Sequence, residues 1–400
     1  MTDDRRHNAL TRFLLLFALA YAGGVVGYVP LLSLLLPLRV EEMAGETRIG
    51  LLTVITIVGG ITASGANILF GALSDRSWRV RRSRRRWIGA GLATTGASYF
   101  GLWAAANPVQ LIAAVVIYQI ALNMMLAPLL ATMADAVPDG RKGLAGGLLT
   151  PAQPAAALVG AAVTGWAASA AMQFAVVVGV VAALVLPLLV AGRPPVAPVK
   201  PEARGAGEAA LRQLDLVFLW SSRLLVQIAV GVLFTYLLFF FAGVARDMPA
   251  SALASQVGWL TAIAYLVSVP VALLAGWASD RWRARKPFLL AAAVLATVGI
   301  VGMAVSSDWA TAAASYAVFA VAGATFLALQ SAYAMQVLPS PDHRARDLGL
   351  INLANTVPAL LGPAITWSLM EDARFERVLA VLAVLTIGGG LMVLPVRSGR

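Results

Sequence analysis

The chain has 400 residues, of which 60% are hydrophobic and 12% charged, with a mean hydropathy of +0.82, against roughly 45–50% apolar and about 25% charged in soluble domains. So few charges cannot cover a water-facing surface of this size, which excludes a soluble fold, and so much apolar content excludes intrinsic disorder. The balance of 30 Lys and Arg against 19 Asp and Glu leaves +11, which we read as a code for membrane orientation and not as a nucleic-acid surface, because cytoplasmic loops collect basic residues.

From the N-terminus, a charged start with Arg5, Arg6 and Arg12 leads into an apolar run from Phe13 to about Leu38. That run is too long for a signal peptide and is read as a retained first span. Further apolar stretches fall at 50–73, 87–106, 108–134, 143–168, 171–192, 214–244, 252–278, 287–306, 309–337, 348–370 and 377–396. Continuous runs of this length, without alternation every second residue, select helices over a barrel. The expectation is an all-α polytopic membrane protein of about twelve transmembrane helices. With the N-terminus inside, 24 of the 30 basic residues fall in inner segments and 5 in outer ones, Arg223 lying within a span. Both termini are therefore expected in the cytoplasm, in a cell (inner) membrane.

Between the sixth and seventh runs lies a segment rich in Pro, Gly, Ala and charge, read as a cytoplasmic linker at 193–213 between six-helix halves at 1–192 and 214–400. The halves repeat one another. Gly71, Ser74, Asp75 and Arg76 with a basic run follow the second span; Gly276, Ser279, Asp280 and Arg281 with Arg283, Arg285 and Lys286 follow the eighth, 205 positions on. Pro138 and Gly146 after the fourth span match Pro339 and Gly349 after the tenth, at spacings of 201 and 203. Duplication with conserved orientation implies pseudo-symmetry about an axis normal to the membrane.

The G-x-L-x-D-R element with its basic loop, present twice, resembles the signature loop of the major facilitator superfamily, and the resemblance covers essentially the whole chain. Within that superfamily, Ser74, Asp75 and Arg76 followed by Arg84, Arg85, Arg86, Trp87 and Ile88 are similar to the pattern of glycoside–pentoside–hexuronide (sucrose-type) cation symporters. Arg346, Asp347, Leu348 and Gly349 with Asn352 and Asn355 are similar to it as well. The sequence departs from that pattern at Ser83, where the pattern has Gly, and at Arg86–Trp87, which lacks the intervening Pro. The resemblance implies alternating access around a central cavity lined by spans one, four, seven and ten.

Asp75 and Asp280 are read as ending helices that run inward, the unfavourable end of the dipole for an acid. Two helix N-termini on the same side, near Gly143 and Asp347, offer free N–H groups. Asp75 is expected to bond near the start of span eleven and Asp280 near the start of span five, as latches on a cytoplasmic gate. The run Arg79 to Arg86 is read as a topogenic anchor to anionic lipid.

Polar residues inside spans are candidates for a substrate pathway, since each is costly in lipid unless it faces a cavity or a partner. They are Tyr21 and Tyr28 in span one, Tyr118, Gln119 and Asn123 in span four, Gln153 in span five, and Arg223, Gln227 and Tyr236 in span seven. Tyr265 in span eight, Gln330 and Tyr333 in span ten, and Asn352 and Asn355 in span eleven complete the set. Any one amide could instead glue helices together. Arg223 lies about 13 Å in from Leu214 along the helix, and either snorkels to the interface or reaches the cavity. No acid occupies the middle of a span, so the coupling ion, a proton or sodium, is left open; Asp135 at the cytoplasmic end of span four is the nearest candidate.

The expected function is secondary transport of a small organic solute, a sugar or glycoside. The alternatives are drug or metabolite efflux and, in another class, a non-transporting sensor. Proton/drug antiporters of the resembled superfamily carry Gly-Pro in span five; here span five has Pro151, Pro154, Gly160 and Gly165 without that pair, and Gly362 and Pro363 lie in span eleven. An enzyme is disfavoured: there is no cysteine, the only histidines are His7 and His343, and no nucleophile–base pair or metal constellation is visible. No nucleotide-binding loop is present either, so no cofactor, metal or nucleic-acid partner is expected, and no oligomer is required.

Overall fold

The structure is a computed structural model, and it describes residues 3–44, 48–81, 83–166, 169–192, 206–246, 248–338, 343–369 and 375–397. Fourteen helices run through these residues in chain order: α1 Asp3–Val26, α2 Leu36–Ala44, α3 Arg48–Arg81, α4 Arg85–Ala104, α5 Pro108–Ala136, α6 Lys142–Gly147 and α7 Ala152–Trp166. They continue as α8 Ala170–Ala191, α9 Ala206–Val244, α10 Ala250–Arg281, α11 Arg285–Val305, α12 Trp309–Val337, α13 Arg344–Leu369 and α14 Glu376–Leu391. Among the described residues there is no strand. Among the described residues nine stretches are long and apolar enough to cross a bilayer, and the remaining predicted spans coincide with α4, α13 and α14. Side chains such as Leu158, Phe234 and Leu266 are 72%, 67% and 70% exposed, as lipid-facing residues should be.

Helix limits follow local chemistry. Asn107 caps α5 by accepting from the Gln110 N–H, with Pro108 at the first helical position, and Ser169 caps α8 by accepting from Met172. Asp308 caps α12, 201 positions after Asn107, by accepting from the Thr311 N–H. Of the predicted linker, residues 193–205 lie outside those described, whereas α9 already starts at Ala206. From Glu208 on, the stretch is built from Ala, Glu, Leu, Arg and Gln, all good helix formers, so the helix of span seven extends into it despite Gly207 in its first turn.

Two further departures from the sequence reading matter for the site. Span one is not one continuous helix: α1 stops at Val26, a turn covers Gly27 and Tyr28, and a π-helical stretch, Leu31–Leu35, leads into α2. Pro30 has no N–H to continue the ladder, and the Gly27 carbonyl accepts instead from the hydroxyls of Tyr99 (2.7 Å) and Tyr118. At the other end of the second span, α3 does not stop at Asp75 but continues to Arg81. Asp75 is therefore an interior helical residue, while Asp280 does sit in the last turn of α10.

The chain packs as two compact units. One comprises residues 1–137, 151–203 and 340–352; the other comprises 138–150, 204–339 and 353–400. Each unit thus takes in one short stretch from the opposite half of the sequence, the start of span eleven in the first and the start of span five in the second. The second unit has an aromatic core in which Phe241 packs on Trp309 and Tyr316, and Phe240 meets Phe375 edge to face.

Candidate functional site

In the first unit the signature loop is built on α3. Gly71 brings α3 against the start of α13: a Cβ there would lie 2.6 Å from the Ala345 carbonyl oxygen. That approach lets the buried Asp75 carboxylate accept from the N–H groups of Ala345 (3.1 Å) and Arg346 (3.0 Å), the helix terminus named from sequence. An anion at two orphan N–H groups is a favourable pairing. Arg84 completes the arrangement. Its Nη2 donates to Asp75 (2.8 Å), its Nη1 to Ser74 Oγ (2.8 Å) and its Nε to Asp135 Oδ2 (2.8 Å), and its Cζ lies 5.4 Å from the centroid of the Trp78 ring. The other Asp135 oxygen accepts from Arg344 at 3.0 Å, and Asp347 accepts from its neighbour Arg346.

The second unit repeats this geometry. Gly276 approaches the Gly143 carbonyl, and Asp280 accepts from the N–H groups of Gly143 (3.1 Å) and Leu144 (2.8 Å). Arg285 donates to Asp280, to Ser279 Oγ (2.7 Å) and to Gln336 Oε1 (3.4 Å). Ser74, Asp75, Arg84 and Asp135 map onto Ser279, Asp280, Arg285 and Gln336 at spacings of 205, 205, 201 and 201. One position breaks the symmetry: the carboxylate Asp135 becomes the amide Gln336.

The topogenic reading of the whole basic run therefore fails for Arg84, which is 2% exposed. Arg76, Arg79 and Arg86 are exposed and Arg85 half-buried, as an anchor to lipid headgroups requires. In the second loop the buried arginine is Arg285, which was not a candidate, while Arg281 is exposed. Ser74 and Ser279 were named in the repeated motif without a role, and Arg344 was not among the site candidates. Seven arginines between positions 76 and 86 look alike in sequence, and the 205- and 201-residue spacings were the one signal that could have singled out Arg84 and Arg285.

The mid-span candidates fall into separate groups. In the first unit Asn123 accepts from Asn67 Nδ2 (2.8 Å) and donates to the Gln119 carbonyl, all three residues being buried. This joins α3 to α5 as interhelical glue, and Asn67, a lone amide in an apolar run, escaped the sequence reading. Tyr118 is fully buried and spends its hydroxyl on Gly27, while Gln153 donates to the Tyr28 hydroxyl at 3.0 Å. In the second unit Arg223 turns into the bundle: its Nε donates to Asn355 Oδ1 (2.9 Å) and its Nη1 to Gln330 Oε1 (2.7 Å) and Ser331 Oγ (2.9 Å). Gln330 is itself anchored on the Leu219 carbonyl. Of the rest, Tyr21, Gln227, Tyr236, Tyr265 and Asn352 are half-buried on α1, α9, α9, α10 and α13, and Tyr333 is buried on α12.

Residues 8–254 and 250–400 match the family model of the Major Facilitator Superfamily. The chain belongs to the major facilitator superfamily. Its fold is that of other superfamily members of known structure. FucP, the E. coli fucose:proton symporter, in its outward conformation, superimposes with a TM-score of 0.72 at 13% identity, over 96% of this chain and 98% of that one. The human organic anion transporter MFSD10 (TETRAN) gives 0.68 at 15% identity, over 99% of both chains. A bacterial homologue of the iron transporter ferroportin, outward-facing, gives 0.70 at 12%, over 96% and 98%. No curated protein matches the sequence. The superfamily and these neighbours are transporters and not enzymes, and the fold is the superfamily's twelve helices in two halves.

Proposed function

We propose that this chain is a secondary transporter of a small polar organic solute, working by alternating access, with Asp75 and Asp280 as latches on the cytoplasmic side. The observation that carries the reading is the repeated anchor: in each unit a buried carboxylate holds the N-terminal turn of a helix from the opposite half of the sequence. Hydrogen bonds to a charged acceptor contribute about 1.5–3 kcal/mol, large enough to hold a gate and small enough for solute binding to release it. Rocking of the halves would break both anchors, since each joins residues more than 130 positions apart. The broken first span supports the reading, because interrupted helices in membranes occur where backbone lines a cavity or is buried in protein. Neutral amides and phenols such as Gln153 and Tyr28 suit a hydroxylated solute, and a sugar or glycoside carried with a proton or sodium is the specific form we favour. The distribution of its basic residues supports a cell (inner) membrane location with both termini in the cytoplasm.

The test is counterflow in proteoliposomes with labelled sugars, organic acids and cationic drugs at two pH values. Saturable exchange of one solute class is expected, and flux direction separates uptake from efflux. Absence of exchange for every class would favour the sensor reading. An Asp75→Asn variant that kept the wild-type exchange rate and cytoplasmic accessibility would remove the latch from the account.

A further inference from the structure

Gln119 lies about 16 Å along α5 from Pro108, halfway through an apolar layer about 30 Å thick. The residue is only 6% exposed and its backbone carbonyl accepts from Asn123, but its side-chain amide has no hydrogen-bond partner among the described residues. An amide left so at this depth is costly and calls for a partner. Its Nε2 lies beside α3, where a Cβ built on Gly59 would be 3.6 Å away. On α3, Thr53, Thr56, Gly60, Ser64, Asn67 and Gly71 recur at steps of three and four and share one helical face. Asn67 on that face bonds Asn123, and Gly71 meets the start of α13, so the face looks into the protein; the exposed Val54, Ile61 and Leu69 form the lipid side of the same helix. A side chain added at Gly60 would meet nothing within 4 Å. One turn before it, Thr56 donates its hydroxyl to the Leu52 carbonyl (2.8 Å), which leaves the oxygen to accept from a ligand. The spans of the first unit bring no charge to this depth: residues 13–38, 49–74, 87–134 and 151–192 contain no Asp, Glu, Lys, Arg or His, and Arg344, Arg346 and Asp347, which the unit takes from span eleven, belong to the anchor at Asp75 and Asp135.

We infer that Gln119, with Thr56 and the open face at Gly60, forms a subsite for two adjacent hydroxyls of a neutral solute. A primary amide sets an acceptor and a donor side by side: its oxygen accepts from one hydroxyl and its N–H donates to the neighbouring one. This rests on the transport reading and deepens it, separating the polar residues of span four by role. Tyr118 and Asn123 are committed to Gly27 and Asn67, and Gln119 is the one that meets the solute.

The chain has no cysteine, so single thiols report on this face in proteoliposomes that hold the full chain, with a membrane-impermeant thiol reagent on both sides. Gly60→Cys should react at least about tenfold faster than Ile61→Cys, because a thiol ionises in water and stays inert among lipid tails. Glucose, galactose and mannose present adjacent hydroxyls in different arrangements. At saturation at least one of them should slow the Gly60→Cys reaction by at least about tenfold, and a butanediol with its hydroxyls at the two ends should not. Adding Gln119→Leu should abolish that protection yet keep the thermal unfolding midpoint within about 1 °C, since an unpartnered amide holds nothing together, whereas Asn123→Leu, which strips Asn67 of its acceptor, should lower it by at least about 2 °C. Equal labelling of Gly60→Cys and Ile61→Cys, protection by none of the three hexoses, protection that survives Gln119→Leu, or a fall in midpoint for Gln119→Leu that matches Asn123→Leu would overturn the inference. Exchange of a labelled solute by a protein that no hexose protects keeps the transport reading and loses this one; hexose protection without exchange of any solute keeps the subsite and removes the transport reading.

Discussion

Arg84 joins two carboxylates and a hydroxyl while only 2% exposed, so its removal takes from Asp75 its guanidinium partner and from Asp135 one of two. Breaking a buried pair from one side costs about 3–5 kcal/mol. Arg84→Ala should therefore lower the thermal unfolding midpoint of the purified protein far more than Arg86→Ala, whose side chain is exposed; equal midpoints would contradict the assigned geometry. The two tyrosines on Gly27 make a different kind of claim. Either Tyr99→Phe or Tyr118→Phe leaves the carbonyl one donor and should cost about 1 kcal/mol, whereas the double variant leaves a buried oxygen unsatisfied and should cost more than the sum. A strictly additive double-mutant cycle in chemical unfolding would show that the carbonyl is satisfied in some other way. None of this could be read from the residues singly. Arg84 is one of seven arginines between positions 76 and 86, and Tyr118 looked like a solute contact because nothing in the sequence reveals that a carbonyl in span one needs a donor.

At the scale of helices, the contact between α3 and α13 depends on Gly71 having no side chain. A methyl group there would sit 2.6 Å from the Ala345 oxygen and 2.9 Å from the Arg346 nitrogen, both backbone atoms that cannot step aside alone. Gly71→Ala should push the start of α13 away from Asp75 and raise the reactivity of cytoplasmic reporter cysteines near this contact. The chain has no native cysteine, so single reporters can be read without background; unchanged reactivity would count against the close approach. A second element-scale test concerns α12. The Thr311 side-chain hydroxyl, and then its backbone N–H, donate to Asp308 and hold that carboxyl below its ordinary value. A group whose folded pKa is depressed contributes stability that is present above its unfolded pKa and is lost as pH falls through the folded one. Asp308→Ala should thus lower the unfolding temperature at neutral pH and converge with wild type in acid; a pH-independent difference would assign the effect to something other than the carboxylate. Helix existence was legible because lipid demands long apolar runs, and the caps at Asn107, Ser169 and Asp308 follow from ordinary N-cap chemistry. The break at Gly27 was not: Gly27 and Pro30 are visible in sequence, but only the tyrosine donors make an interrupted span tolerable.

For the whole molecule, the repeat between halves was legible from spacing alone. The partner of Asp280 was legible because an acid in the last turn of a helix needs the N–H groups that another helix start provides, and Asp75, although inside α3, finds its partner at the equivalent helix start. What spacing could not reveal is that the two anchors differ. The first includes Asp135 and Arg344, a closed set of charges; the second has Gln336 in place of the acid, since an amide and a carboxylate occupy the same repeat position and only the packing of Arg84 and Arg285 exposes the correspondence. The central claim is that the carboxylate of Asp75 holds the start of α13 shut. Ala345 is fully buried, so a cysteine placed there reacts from the cytoplasm only when this contact opens. The decisive measurement is the rate at which a membrane-impermeant thiol reagent labels Ala345→Cys in inside-out vesicles, with Asp75 intact and with Asp75→Asn. Loss of two charge-assisted bonds should speed labelling by at least about tenfold, the equivalent of about 1.4 kcal/mol; identical rates in the two backgrounds would contradict the account.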